Sequence, residues 1–218
     1  MIKISKYLIF IIFIFFQKAD ANEEINFFKE INPINQDGSL NIIVEISVGD
    51  TIKRQLSEDK KKLEIEYNST GKRLINYIPY PFNYGVIPQT LESFKIGADG
   101  DPLDVILIGS KKKKAELEEG NILGIIYMTD GMEIDNKILA ISQQDIFLDI
   151  NNIFDLKKKY PGVIEIIKIW LKNYKGGYVE IKNINGKKRA KEYINDSNLR
   201  YLSKNGSLTE AANNLYKI

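Results

Sequence analysis

Cysteine and histidine are both absent from the 218 residues. Without cysteine there are no disulfides and no thiolate metal sites. Without histidine the commonest general base at neutral pH is missing, and so is any His-based zinc site. Chemistry must fall to Asp, Glu, Lys, Arg and Tyr, with any metal held by oxygen. An excess of one charge is lacking too: 31 Lys and Arg against 29 Asp and Glu leave a formal +2. So balanced a chain gives no reason to expect nucleic acid as its main partner. No internal repeat and no low-complexity linker divides the sequence.

The longest unbroken apolar run is Tyr7 to Phe16, and it follows Lys3 and Lys6. It is shorter than the ~20 residues of a spanning helix. Ala19-Asp20-Ala21 supplies an A-x-A cleavage pattern, so residues 1–21 read as a signal peptide cut after Ala21. A secreted or periplasmic location follows, with no stable membrane association after cleavage. Residues 22–218 are then one domain. Cleavage removes three positive charges and one negative, so the formal +2 falls to zero.

What the chain does have is a dense acidic stretch, Asp99-Gly100-Asp101-Pro102-Leu103-Asp104, running into Val105-Ile106-Leu107-Ile108. The apolar run is of strand length and reads as a buried strand. Pro102 cannot donate to a sheet ladder, so residues 99–102 read as an extended loop with Asp99 and Asp101 on one face. Asp104 at the strand mouth can converge on them. Carboxylates ~4 Å apart repel by about 4 kcal/mol per pair at an effective dielectric of 20. A hard divalent cation such as Mg²⁺ or Ca²⁺ offsets that. Taken alone, an Asp-Gly-Asp stretch reads more readily as a solvated acidic turn, and what lifts this one above that reading lies elsewhere in the chain. The spacing excludes an EF-hand loop.

Elsewhere, residues 41–47 read as a strand carrying Glu45, with 51–56 as its returning partner. Residues 63–67 alternate like a half-buried strand. Residues 77–88, with Pro79, Pro81, Pro88 and several tyrosines, read as a rigid aromatic segment. Lys111 to Lys114 read as a solvated loop. Strands follow at 121–128 and 137–142, with a loop carrying Asp130, Glu133 and Asp135 between them. Residues 152–160 form a short helix, and Pro161 opens a longer one with an apolar face of Val163, Ile167, Trp170 and Tyr174. Gly176-Gly177 ends it, 178–184 is a strand and 187–202 an amphipathic helix. The last dozen residues read as peripheral. Short strands ahead of helices give an α+β class. The best fit is a small antiparallel barrel with helices packed against it.

The acidic residues thus come from three places: Asp99, Asp101 and Asp104; Asp130 and Asp135; and Glu45. Lys53, Arg73, Tyr84, Lys137, Tyr174 and Lys175 recur beside them. Carboxylates for hard cations, with Lys, Arg and Tyr for anionic oxygens, make up the composition of a phosphoryl-transfer site.

At this point the chain resembles the family I soluble inorganic pyrophosphatases. The carrying motifs are the Asp99–Val105 stretch, Tyr80-Pro81-Phe82-Asn83-Tyr84-Gly85, Asp130 through Asp135 to Lys137, and Tyr174-Lys175 after the Trp170 helix. The likeness spans a core of about residues 41–191, and Tyr160-Pro161-Gly162-Val163-Ile164-Glu165 most resembles secreted-type bacterial members. The resemblance implies a small antiparallel OB-like five-stranded β-barrel with flanking α-helices, and Mg²⁺-dependent hydrolysis of pyrophosphate to two phosphates by a homo-oligomer, with several Mg²⁺ ions per site. It implies metal ligation by Asp99, Asp104 and Asp135, with Asp130 and Glu45 contributing. It assigns Asp101 to the attacking water. Lys53, Arg73, Tyr84, Lys137, Tyr174 and Lys175 are implied to bind phosphate oxygens, with Lys53, Arg73 and Tyr84 also counted among the catalytic groups.

Three departures stand out. Gln55 replaces the family Glu two residues after the motif Lys. Arg73 matches only across a one-residue gap. A Lys that often follows the Tyr-Lys pair has no counterpart in residues 176–178. The alternatives are a related phosphoanhydride hydrolase with a larger leaving group, and a non-catalytic OB-type module binding nucleic acid or sugar. The second would not need this acidic set.

Overall fold

In the computed structural model, which describes residues 26–143 and 149–205, the densest apolar runs become central strands. In chain order the elements are α1 (Phe27–Glu30), β1 (Leu40–Ile46), β2 (Arg54–Leu56), β3 (Leu63–Ile65), β4 (Tyr67–Asn68), β5 (Gly71–Lys72) and β6 (Asn83–Val86). After them come β7 (Asp104–Ile108), β8 (Leu117–Asp130), β9 (Glu133–Ile134), β10 (Lys137–Ser142), α2 (Ile153–Lys159), α3 (Val163–Asn173), β11 (Val179–Gly186) and α4 (Lys187–Lys204). The expected signal peptide and the final dozen residues lie outside the described residues.

β8 is the organiser. Its start pairs β1, its middle β10, and its end β11 and β9. β1 also pairs β6, β6 pairs β7, and β7 pairs β10. The ladders of β1, β6, β7, β10 and β8 therefore return to their starting strand. With β9 and β11 the sheet has seven strands, and two small two-stranded sheets, β2–β3 and β4–β5, stand beside it.

β7 and β10 carry continuous apolar runs because both of their faces are covered, and β1 is buried throughout although it carries Asn41 and Glu45. Side chains alternate across a strand. Val105, Leu107, Ile138 and Ala140 pack with Ala190 and Ile194 of α4. Their neighbours Ile106, Ile108, Leu139 and Ile141 belong to the second cluster, with Ile164, Ile167, Trp170 and Leu171 of α3. Trp170 also donates from Nε1 to the Ile78 carbonyl at 2.9 Å, tying α3 to the aromatic segment.

Several expectations need correction. The sheet is not wholly antiparallel: β7 and β10 run parallel, from Lys137 opposite Asp104 to Ile141 opposite Ile108. A parallel pair needs a long crossover, which the β8–β9 hairpin supplies. Residues 54–56 do not return onto β1 but pair β3, with Gln55 opposite Glu64. The proline-rich segment contains β6, because its prolines fall outside the four strand residues. Gly85 in β6 has backbone so close that an added Cβ would lie 2.1 Å from the Ile43 carbonyl oxygen. The helix expected from Pro161 begins at Val163 behind Gly162, whose φ of 90° no proline could adopt. Lys112 is buried rather than solvated, with its Nζ 3.3 Å from Glu118.

Candidate active site

The parallel register sets Asp104 at the start of β7 beside Lys137 at the start of β10. The loops entering these strands carry Asp99, Asp101 and Asp135, so neighbouring strand ends bring the carboxylates together. The loop 99–101 is a turn rather than extended. Asp101 N donates to Asp99 Oδ1 at 2.9 Å, and Gly100 between them has a φ of 88°. Such a left-handed position favours glycine.

Around this corner opens a cleft of about 650 Å³. All twelve residues singled out from the sequence line it: Glu45, Lys53, Arg73, Tyr84, Asp99, Asp101, Asp104, Asp130, Asp135, Lys137, Tyr174 and Lys175. They come from β1, the β2–β5 region, β6, the β7 mouth, the β8–β10 region and the end of α3.

One wall is acidic. Lys137, only 1% exposed, places Nζ 2.6 Å from both Asp104 Oδ2 and Asp135 Oδ1. Burial alone would lower the Lys137 pKa, but the two carboxylates outweigh it and hold the ammonium well above its ordinary value. Burial would likewise raise Asp135, yet Lys137 and then Lys175 hold it below the usual range. Asp99 goes the other way. Desolvation by the cleft wall raises it, and Asp101, Asp104 and Asp135 add to the effect. Glu45, deeper in, is pushed up to about 8 by burial, while its Oε1 accepts from Leu56 N at 2.8 Å. Asp130 is paired with Lys175.

The other wall is basic. Lys53 N donates to the Arg73 carbonyl at 2.9 Å, Arg73 N to Glu66 at 2.8 Å, and Glu66 N to Lys53 at 3.1 Å. These backbone bonds bring the three side chains together. Glu66 pairs with the Arg73 guanidinium and with Lys53 Nζ at 3.5 Å. Burial would raise the Glu66 carboxyl, but Lys53 and Arg73 together hold it below its ordinary value. Between the walls lies Tyr84, with Lys53 and Lys137 ammonium groups 5.9 and 5.5 Å from its ring centre. Burial, then Asp104 and Asp135, keeps its phenol protonated. Tyr174 stacks on Trp170, with ring centres 4.3 Å apart.

Sequence reasoning missed Glu58, Lys60, Glu66, Glu133 and Lys204 as cleft residues. Glu66 matters most, since it holds both basic residues. Its alternation with Leu63 and Ile65 was visible, but the pairing that sets it against Lys53 was not. Gln55 also lines the cleft, as its two-residue offset from Lys53 in an extended segment requires.

Among the described residues no three carboxylates form a ready metal cage. The donor set is nonetheless one of hard oxygens that repel one another, and Lys137 is the cation that holds Asp104 and Asp135 side by side. That chemistry fits a hard divalent ion.

The family described as inorganic pyrophosphatase matches residues 42–202. The inorganic pyrophosphatase of Saccharolobus solfataricus is 31% identical over 160 residues, covering 71% of this chain and 87% of that protein. A probable inorganic pyrophosphatase of Plasmodium falciparum is 31% identical over 188 residues, covering 74% of this chain but 47% of its own length. The chain likewise spans 58% of the Chlamydomonas reinhardtii relative and 50% of the Arabidopsis thaliana one, so its match spans about half the length of several curated relatives. Among solved structures, the type I inorganic pyrophosphatase of P. falciparum superposes with a TM-score of 0.74 at 29% identity, over 81% of this chain and 63% of that one. An inorganic pyrophosphatase from Coxiella burnetii shares the fold, with a TM-score of 0.67 at 24% identity over 78% of this chain and 99% of that one. On the extent of these matches, the chain belongs to the inorganic pyrophosphatase family.

Proposed function

We propose that this chain hydrolyses inorganic pyrophosphate to two phosphates in a Mg²⁺-dependent reaction. The observation that carries the reading is the convergence of an acidic and a basic wall, drawn from segments spread over about 130 residues, on one cleft. Asp99, Asp104 and Asp135, with Asp130 and Glu45, would hold several Mg²⁺ ions. When bound, the ions supply charge neutralisation and acidify the attacking water. Within the chain, Asp101 is exposed at the turn and free to take a proton from that water. The water oxygen bonds to one phosphorus as the bridging P–O bond breaks, and the second phosphate leaves. Arg73 offers a forked donor and Lys53 a point charge to the phosphate oxygens. Tyr84, kept protonated, donates a hydrogen bond. Lys137, now paired with Asp104 and Asp135, and Lys175, now paired with Asp130, would offer their ammonium groups to phosphate oxygens. Tyr174 orients the substrate from its stack on Trp170.

The reading extends to the architecture, where the returning ladders of five strands fit an OB-like barrel. It also extends to an exported, secreted-type protein cleaved after Ala21, and to a homo-oligomer. Exposed Ile166 and Ile169, near one another on α3, favour assembly. Phosphate release from pyrophosphate with and without Mg²⁺ tests the function. No release under either condition overturns it, and faster release from tripolyphosphate would favour the broader phosphoanhydride hydrolase.

A further inference from the structure

Behind the acidic wall lies a buried polar network that the reaction as read above does not use. Glu92 is 5% exposed, yet its carboxylate accepts from Ser197 Oγ at 2.8 Å, from Arg200 Nη2 at 2.6 Å and from the Tyr193 hydroxyl. These three donors lie on α4. The Glu92 backbone grips the acidic turn from the other side: Glu92 N donates to the Asp101 carbonyl and Gly100 N to the Glu92 carbonyl, each at 2.7 Å. Tyr193 reaches further. Its hydroxyl accepts from Asn136 Nδ2 at 2.9 Å, while Asn136 Oδ1 accepts from Met128 N at 3.0 Å. Asn136 sits between Asp135 and Lys137 in the chain. One network therefore joins α4 to both segments that carry the acidic wall.

We propose that Glu92 and Tyr193 are positioning residues, bracing the Asp99–Asp101 turn against the Asp135–Lys137 segment so that their carboxylates stand at the spacing a divalent cation needs. This rests on the pyrophosphatase reading of the cleft. Lys137 holds Asp104 and Asp135 together, but the Asp99–Asp101 turn repels that pair and needs a tie from outside the carboxylate set. Buried charge is costly unless every lone pair is met, and Glu92 receives three side-chain donors. α4 is thereby a strut for the metal-binding corner as well as a cover for the sheet.

The test is calorimetric titration of Mg²⁺ alone into the metal-free full chain. Tyr193→Phe removes the one hydroxyl that joins Asn136 to Glu92 and keeps the ring packed edge-on to Tyr127. Asn198→Ala is the control, because it removes a different bond from the same helix, Asn198 Nδ2 to the Gln89 carbonyl at 2.6 Å. Tyr193→Phe is expected to bind Mg²⁺ about tenfold more weakly, the scale seen when groups behind a metal ligand are lost. Its turnover at saturating Mg²⁺ should stay close to that of the unaltered chain. Asn198→Ala should melt earlier yet bind Mg²⁺ normally. If Tyr193→Phe does not fold, Glu92→Gln gives the same comparison. Unchanged Mg²⁺ affinity in the folded variant overturns the brace, and so does an equal loss in Asn198→Ala, which would mean general loosening. If the unaltered chain takes up no Mg²⁺ and releases no phosphate from pyrophosphate, the reading of the cleft falls as well. Normal binding and hydrolysis with an unaffected Tyr193→Phe removes only the brace.

Discussion

The two walls of the cleft are built differently. The acidic wall stands on the ends of β7 and β10, adjacent strands buried almost throughout, and its central cation Lys137 is 1% exposed. The basic wall stands on short hairpins of two or three residues per strand, half open to solvent. Its Glu66 is 19% exposed and Arg73 30%. Like charges on rigid supports around a fully buried cation are pre-organised and costly, whereas ion pairs on small hairpins with no fully buried member contribute less to folding and can rearrange around a ligand. Changes to the acidic wall should therefore strike chemistry at its exposed turn and stability at its buried centre, and changes to the basic wall mainly substrate affinity.

Asp101→Asn gives the largest contrast. The amide keeps the size and the turn but cannot take a proton. Turnover is expected to fall by about 10²–10⁴-fold, the range for loss of a general base, with melting temperature and Mg²⁺ affinity nearly unchanged. Steady-state kinetics with a thermal melt reads this, and near-normal turnover would take the role from Asp101.

Lys137→Met tests the rigid support itself. It leaves Asp104 and Asp135 facing one another with no cation between them. Breaking a buried pair costs about 3–5 kcal/mol, reduced here to about 2–3 because the carboxylates are 24% and 16% exposed. Added Mg²⁺ should recover part of that loss, since it supplies the missing charge. Urea unfolding with and without Mg²⁺ measures both, and a Mg²⁺-independent deficit would count against cation binding between these two carboxylates.

The same contrast governs what could be read in the sequence. β7 and β10 were legible because residues buried on both faces must be apolar in succession. The twelve cleft residues were legible because they sit at motif spacings. The hairpin pairings were not, since strands of two or three residues carry too little periodicity to fix a partner. Glu66 was missed for that reason, although its backbone bonds to Lys53 and Arg73 make the basic wall. The parallel β7–β10 pair was missed because direction depends on where the long β8 runs, which no local pattern reports. The Glu92 network was invisible because its members lie about 100 residues apart.

Glu66→Gln sharpens the basic side. A neutral amide holds Lys53 and Arg73 far less firmly. Partly exposed pairs with no fully buried member are worth about 1 kcal/mol each, so the melting temperature should shift little. The KM for pyrophosphate should rise about tenfold, or about 1.4 kcal/mol, with turnover nearly kept. A fall in turnover with unchanged KM would mean that Glu66 serves the chemistry rather than the clamp.

Gln55→Glu is the mildest test, and it asks whether the two walls share one field. Gln55 lines the cleft beside Lys53 but is exposed, opposite Glu64 on the neighbouring hairpin strand. An amide there can accept a hydrogen bond but brings no charge, so the cleft holds one negative charge fewer than the family pattern implies. In a buried site that charge would weigh heavily. In a water-like dielectric a unit charge about 7 Å away contributes about 0.6 kcal/mol, and salt reduces it further. The Glu variant should therefore reach half-maximal activity at a Mg²⁺ concentration lower by about threefold or less, with the benefit shrinking as KCl is raised. Mg²⁺ titrations at fixed pyrophosphate in low and high salt decide it. Superimposable curves at low salt would place Gln55 outside the metal field, and a salt-independent gain would mean direct ligation by the new carboxylate rather than action through the cleft's field.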